Sequence, residues 1–205
     1  TIGDEKPRGI CGSGIIEVTA EMFKAGIILK NGRFNKEIKC PRLRNVNGNF
    51  EFVLAYKDET AINQDIVFTQ KDVRNVQLAK AAMQVGGRIL MREFGITEVD
   101  KIILAGAFGS YIDKEAAMVI GMYPDAPLEK VVAIGNAAGD GARMALLSRE
   151  KRDEAEWVSR NVRYIELTLA ENFEREFMMA MHFPHMHWEK YPHMNYILDR
   201  IPKYE

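Results

Sequence analysis

Two glycine-rich segments, each closing a short apolar run, are the residues of this chain best suited to chemistry. Lys101-Ile-Ile-Leu-Ala105 runs into Gly106, Ala107, Phe108, Gly109 and Ser110. Lys130-Val-Val-Ala-Ile134 runs into Gly135, Asn136, Ala137, Ala138, Gly139, Asp140 and Gly141. In an open α/β sheet a ligand sits in the crevice beyond the carboxyl ends of such strands. Glycine lets backbone approach the ligand there. The helix that follows offers free N–H groups and a positive dipole end, which suit an anionic group. One such turn is as well explained by a tight strand-to-helix connection, but two in succession favour binding. A third cluster, Gly12-Ser13-Gly14, opens another helix, with Ser13 read as its N-cap and the same N–H groups available to a phosphate. Asp140 is the one carboxylate inside these turns. Asp100, Asp113 and Asp125 lie near element ends, where capping accounts for them, and no catalytic base stands out.

The elements that must position these residues follow from periodicity. Residues 13–25 read as a helix with Ile15, Ile16, Thr19, Met22 and Phe23 on one side and Gly26 as its stop. A turn-rich stretch with Asn31-Gly32 and Asn47-Gly48 precedes strands at 50–57 and 66–68. Thr69 caps a long helix, Asp72 completes a capping box, and Gly95 ends it. Its stripes 76/79/83/86/90/94 and 78/82/85/89 are expected inside, with Lys80, Gln84, Arg88 and Arg92 outside. The two strand–glycine units then carry helices at about 113–121 and up to 147, which argues for an α/β layer with a largely parallel sheet. A charged helix is expected at 150–159, an edge strand at 162–166 and a last helix at 169–181. The tail from Phe183 is expected to lie over the surface.

Composition narrows the classes. The chain has 205 residues, 28 Lys+Arg against 29 Asp+Glu, and 47% hydrophobic residues, as in an ordinary folded domain. With no basic excess, nucleic acid is not an expected partner. The apolar runs fall short of the roughly 20 residues a bilayer needs, so no membrane contact is expected. No Gly-Lys pair makes a P-loop, and the early glycines run G-x-x-G-x-G, the reverse of the dinucleotide fingerprint. No His-Glu-x-x-His zinc site and no G-x-S-x-G elbow occurs. Two cysteines, Cys11 and Cys40, cannot ligate a conventional four-Cys iron–sulfur cluster, and a reduced, cytoplasmic setting is expected. His182, His185, His187 and His193 crowd the tail with several methionines. That could chelate a soft metal, but nothing completes a site, so packing and no metal are expected.

The segments Pro7-Arg-Gly-Ile-Cys-Gly-Ser-Gly-Ile15, Thr69-Gln-Lys-Asp-Val73, Leu104-Ala-Gly-Ala-Phe-Gly-Ser-Tyr-Ile-Asp113 and Ile134-Gly-Asn-Ala-Ala-Gly-Asp-Gly-Ala142 resemble the C-terminal domain of the ATP-dependent reductive activators of corrinoid proteins. Tyr164-Ile-Glu-Leu167 and the Phe177 to Pro184 stretch are similar as well. The resemblance covers residues 1–184 and leaves 185–205 as a His- and aromatic-rich tail. It implies a lobe of the actin, sugar-kinase and chaperone ATPase (ASKHA) superfamily, with ATP and Mg as cofactor. It further implies a corrinoid protein as partner, a homodimer, and a parent chain with an upstream iron–sulfur domain. By the same resemblance, Gly106 to Ser110 is the adenosine-side glycine turn and Gly135, Asn136, Gly139 and Asp140 belong to the neighbouring connecting segment. Gly12, Ser13 and Gly14 fall near the phosphate side. The Asp-x-Gly-Thr hairpin of that superfamily does not occur here, and the chain, which opens on Thr1, is read as part of a longer protein. Two functions stay open: nucleotide-binding and docking surface of an activator that returns Co(II) corrinoid to Co(I), or a docking and dimerisation module with no nucleotide affinity of its own. An unrelated α/β enzyme for a small anion is the third reading.

Overall fold

A computed structural model of the chain describes residues 2–202. The first helix, α1 (Gly12–Lys24), buries Ile16, Thr19, Ala20, Met22 and Phe23. It begins one residue before the expected start, and its N-cap is Cys11, whose sulfur accepts the Gly14 N–H at 3.4 Å. Ser13 is therefore inside the first turn and is not the cap. Around Asn31-Gly32 the chain makes a single antiparallel bridge, Ile28 to Phe34. Three antiparallel strands follow, β1 (Leu43–Val46), β2 (Asn49–Ala55) and β3 (Ile66–Thr69), with β2 in the middle. The β1–β2 turn is Asn47-Gly48, both at positive φ (52° and 87°), the combination a two-residue hairpin requires. Residues 43–46, read as part of a turn-rich stretch, are thus a strand paired along Phe50 and Phe52.

Helix α2 (Gln70–Phe94) has the expected termini. Thr69 and Asp72 form a reciprocal capping box, and Gly95 closes the helix at φ 70°. Its inner face differs from expectation. Val73, Val76, Gln77, Lys80, Ala81, Gln84, Val85, Gly86 and Ile89 are buried, whereas Leu78, Met83, Leu90 and Phe94 are exposed. The reason is the tail. Lys80 Nζ donates to the carbonyls of His182 and Pro184. Gln84 Nε2 donates to the carbonyls of Gly121 (2.7 Å) and Pro184 (3.0 Å) and reaches the Tyr191 hydroxyl, which itself donates to the Tyr123 carbonyl. These bonds meet the donors of Lys80 and Gln84, while the buried Gln84 Oε1 has no partner among the described residues.

The tail accordingly belongs to the core and does not lie over the surface. Phe183, Tyr191, Met194 and Leu198 are fully enclosed and pack with Phe23, Ile28, Met118 and Ile120 in one cluster. Phe23 meets Phe183 and Trp188 at ring-centroid distances of 5.7 and 6.2 Å. Three of the tail histidines go to different partners: His185 Nδ1 accepts the His187 N–H, His187 faces Glu189, and His193 Nδ1 meets Asp125 at 2.6 Å, while His182 Nδ1 has no partner among the described residues.

Strands β4 (Ile102–Ala105) and β5 (Val131–Gly135) pair in parallel from Ile102–Val131, and a register shift after Leu104 places Ala105 beside Gly135. Short helices α3 (Gly106–Tyr111) and α4 (Lys114–Val119) separate them; α5 (Ala137–Leu147) and α6 (Arg149–Asn161) follow. This is the expected parallel sheet flanked by helices. Residues 162–166 form no strand. Ile165 and Leu167 pack instead on Ala81, Val85 and Ile89 of α2, so the segment runs across that helix and not beside β5. Helix α7 (Phe173–Ala180) completes this small cluster, and α8 (Asn195–Leu198) lies in the tail. No described helix is long and apolar enough to cross a membrane.

Candidate nucleotide site

The parallel pairing brings the ends of β4 and β5 side by side, and with them the two glycine segments. Gly106 (φ 91°) and Gly135 (φ 72°) both hold the left-handed conformation that a side chain resists. A Cβ built on either meets nothing within 4 Å, so the backbone here borders open space. Gly109 is packed differently: a Cβ on it would stand 3.1 Å from Leu104, so this glycine lets α3 fold back onto its own strand. The third cluster joins them, because a Cβ on Gly12 would lie 3.1 Å from the Phe108 ring. All three sequence-derived segments thus converge, with the start of the 13-residue α1 facing α3.

The two segments are not loops beyond their first residue. Gly106 to Tyr111 is already helical, and Ser110 spends its hydroxyl on the Gly106 carbonyl at 2.9 Å. Asn136 caps α5, its Oδ1 accepting the Gly139 N–H at 3.1 Å, which puts Gly139, Asp140 and Gly141 inside a helix. Ala107, Phe108 and Asn136 are exposed along the rim. Asp140 is paired with Arg143 at 3.0 Å and is half exposed, while Asp113 is an N-cap, accepting the Ala116 N–H. Asp125 does not cap a helix but holds His193.

Cys11 stands directly before Gly12-Ser13-Gly14, at the start of α1. It is exposed, and its pKa is lowered, first by the Ser13 hydroxyl at 3.4 Å and then by the Gly14 N–H. Beside it an apolar cleft of 560 Å³ opens between α1, β3 and α2, walled by Ile10, Ile15, Phe68 and Val76. Two further clefts, of 1110 and 750 Å³, lie away from the glycine segments.

The arrangement can present backbone N–H groups and a helix N-terminus to an anionic or nucleoside ligand. No group of three or more His, Cys, Asp or Glu among the described residues is placed to hold a metal ion.

Comparison with known proteins agrees with this frame. A family model described as the C-terminal domain of RACo, the ASKHA domain, matches residues 1–195, which carries the likeness past residue 184 into the tail. The corrinoid activation enzyme RamQ of Eubacterium limosum is 39% identical over 191 residues, covering 89% of this chain and 32% of that protein. The Co(II) methylated amine-specific corrinoid protein reductase of Methanosarcina barkeri is 26% identical over 164 residues, covering 79% and 26%. The solved reductive activator for corrinoid, iron–sulfur protein superposes with a TM-score of 0.85 at 37% identity, covering 94% of this chain and 31% of that one. The chain therefore spans between about a quarter and a third of the length of these relatives. Sequence, fold and the converging glycine segments together make this chain a member of the RACo C-terminal ASKHA-domain family.

Proposed function

We propose that this domain supplies the adenosine-side wall of a nucleotide crevice in an ATP-dependent activator that returns Co(II) corrinoid proteins to Co(I). The observation that carries the reading is the meeting of Gly12–Gly14, Gly106–Ser110 and Gly135–Asp140 at the carboxyl ends of β4 and β5. The fit to ATP is one-sided. Gly106 and Gly135 border open space and suit a closely approaching ring and ribose, and the first N–H groups of α1 suit a phosphate. Asp140 is tied to Arg143, so the metal-bound end falls to residues outside these segments. When bound, ATP supplies free energy for an otherwise uphill reduction. It can do so only if open and closed arrangements of the crevice bind it unequally. The rigid β4–α3 and β5–α5 junctions are what this chain contributes to that difference.

In a longer activator containing this domain, Gly106→Val places a branched side chain at φ 91° in the mouth of the crevice. ATP-stimulated reduction of Co(II) corrinoid is expected to be lost, with the fold checked by circular dichroism. Asn136→Ala, which removes only the α5 cap, is expected to weaken stimulation partially. A folded Gly106→Val protein with undiminished stimulation refutes the assignment. The second reading, a docking module without nucleotide affinity of its own, is favoured by the exposure of the rim and by the occupied state of Asp140. Direct nucleotide binding separates the two.

A further inference from the structure

The far end of α1 borders a second feature. At about 1.5 Å per residue, its 13 residues carry the chain some 20 Å from the glycine segments. There the 1110 Å³ cleft opens between the 26–37 loop, the β1–β2 turn and the tail. Lys30, Arg33, Lys36 and Arg74 line it, against one carboxylate, Glu37. In a chain of net charge −1 this excess is local. Among the described residues, none of the four cations has a carboxylate within 4 Å, and none of their side chains donates a hydrogen bond. Nearby Arg44, by contrast, is held by both Glu51 and Asp65. The walls are aromatic: Lys30 Nζ stands 4.9 Å from the Trp188 ring and Lys36 Nζ 5.5 Å from the Phe50 ring. Burial lowers the pKa of Lys30, and the charge of Glu189 opposes this only in part.

From this geometry we infer that the cleft is a docking site for an acidic segment of the corrinoid protein. The inference rests on the proposed docking to a corrinoid partner and names the surface. A polypeptide fits better than a small anion for two reasons. The volume exceeds the usual 300–1,000 Å³ or so of small-ligand pockets. The cations also come from two separate elements, three of them spaced along one loop and the fourth on α2, a layout that meets several carboxylates in a row. Apolar side chains between those carboxylates would lie on Phe50 and Trp188. Such pairing steers encounter and depends on salt.

The test is the dissociation constant of the full-length activator for a corrinoid protein that it reduces, measured at 50 and 500 mM salt. Arg33→Glu/Lys36→Glu/Arg74→Glu, all exposed positions, is expected to weaken the complex at least tenfold at 50 mM salt and much less at 500 mM. Lys57→Glu/Lys114→Glu, exposed positions outside the cleft, is expected to leave it unchanged. An unaltered constant for the triple variant overturns the cleft while leaving corrinoid docking intact. An equal loss in both variants assigns the effect to overall charge and also overturns it. If the unsubstituted protein forms no complex, the docking reading fails and the inference falls with it. Micromolar binding of inorganic pyrophosphate, lost in the triple variant while the protein complex is unaffected, reassigns the cleft to a small anion.

Discussion

Around Tyr191 the tail, α1 and α4 enclose their large apolar side chains, whereas on β4, β5, α5 and α6 many of them stand open to water. Phe23, Phe183, Met194 and Leu198 are sealed between α1, α4 and the tail, and the polar groups among them are bonded to tail carbonyls. On the other side, α5 and α6 bury no residue, and the outer face of the two-stranded sheet shows Ile103 at 58% exposure. Leu147 (84%) on α5 and Trp157 (65%) on α6 are exposed as well. A patch of that extent marks a surface that meets protein, and a two-stranded sheet needs further support. The first region is a finished core. The second leaves apolar side chains uncovered, and the relatives this chain matches are about three times its length.

The sharpest way to break that comparison is Gly121→Val. Gly121 sits at φ 76°, and a Cβ there would lie 2.2 Å from the Pro184 carbonyl oxygen and 2.7 Å from Gln84. The Pro184 backbone cannot yield without moving the tail, and displacing the Gln84 side chain breaks its bonds to Gly121 and Pro184, so a loss of about 4 kcal/mol or more is expected in urea denaturation, with the tail released to proteolysis. Next is a matched pair. Phe183→Ala opens a cavity in the finished core and should cost about 3–5 kcal/mol. Trp157→Ala should cost within about 0.5 kcal/mol in the 205-residue chain. In a full-length activator it should cost about 2 kcal/mol or more, where the residue is covered. Equal costs in the short chain would erase the distinction.

The domain's local signals were legible, and its long-range partners were not. The capping box at Thr69–Asp72, the stop at Gly95 and the strand runs before Gly106 and Gly135 depend only on neighbours in sequence, and each is present. The inner face of α2 depends on a segment 100 residues away. Hydrophobic periodicity counts Lys80 and Gln84 as outside, because it cannot see carbonyls arriving from the tail to meet them. It counts Leu90 and Phe94 as inside for the complementary reason: they are apolar, but these residues provide no wall for them. At the candidate site the glycine segments come together as the strand runs suggest, but their conformation was legible only in part. Asn136 and Ala105 start helices at once, so two apparent glycine loops shrink to Gly106 and Gly135. The cleft at Lys30 assembles residues from four stretches of chain, and no single window of sequence contains it.

Two smaller effects sharpen the picture. His185 is buried, and desolvation first, then Arg88, Lys190 and Lys80, push its pKa down to about 3. The unfolded chain takes up that proton near pH 6.5, so between about 6.5 and 3 the unfolded state binds more protons than the native one. Stability should therefore fall as pH drops through this window, and His185→Asn should flatten the slope in acid denaturation followed by tryptophan fluorescence. The smallest expected effect is chemical. The lowered pKa of the exposed Cys11 should make it alkylate faster at pH 7 than an unperturbed thiol, and Ser13→Ala should reduce that advantage.

The central claim, that three glycine segments form a nucleotide wall, is tested most directly by titrating the isotope-labelled 205-residue chain with Mg-ATP and following backbone amide shifts. The account predicts saturable shifts at Gly12–Gly14, Gly106–Ser110 and Gly135–Asp140, absent in Gly135→Val. Shifts confined to the cleft around Lys30 and Arg33, or none at millimolar nucleotide, would contradict it.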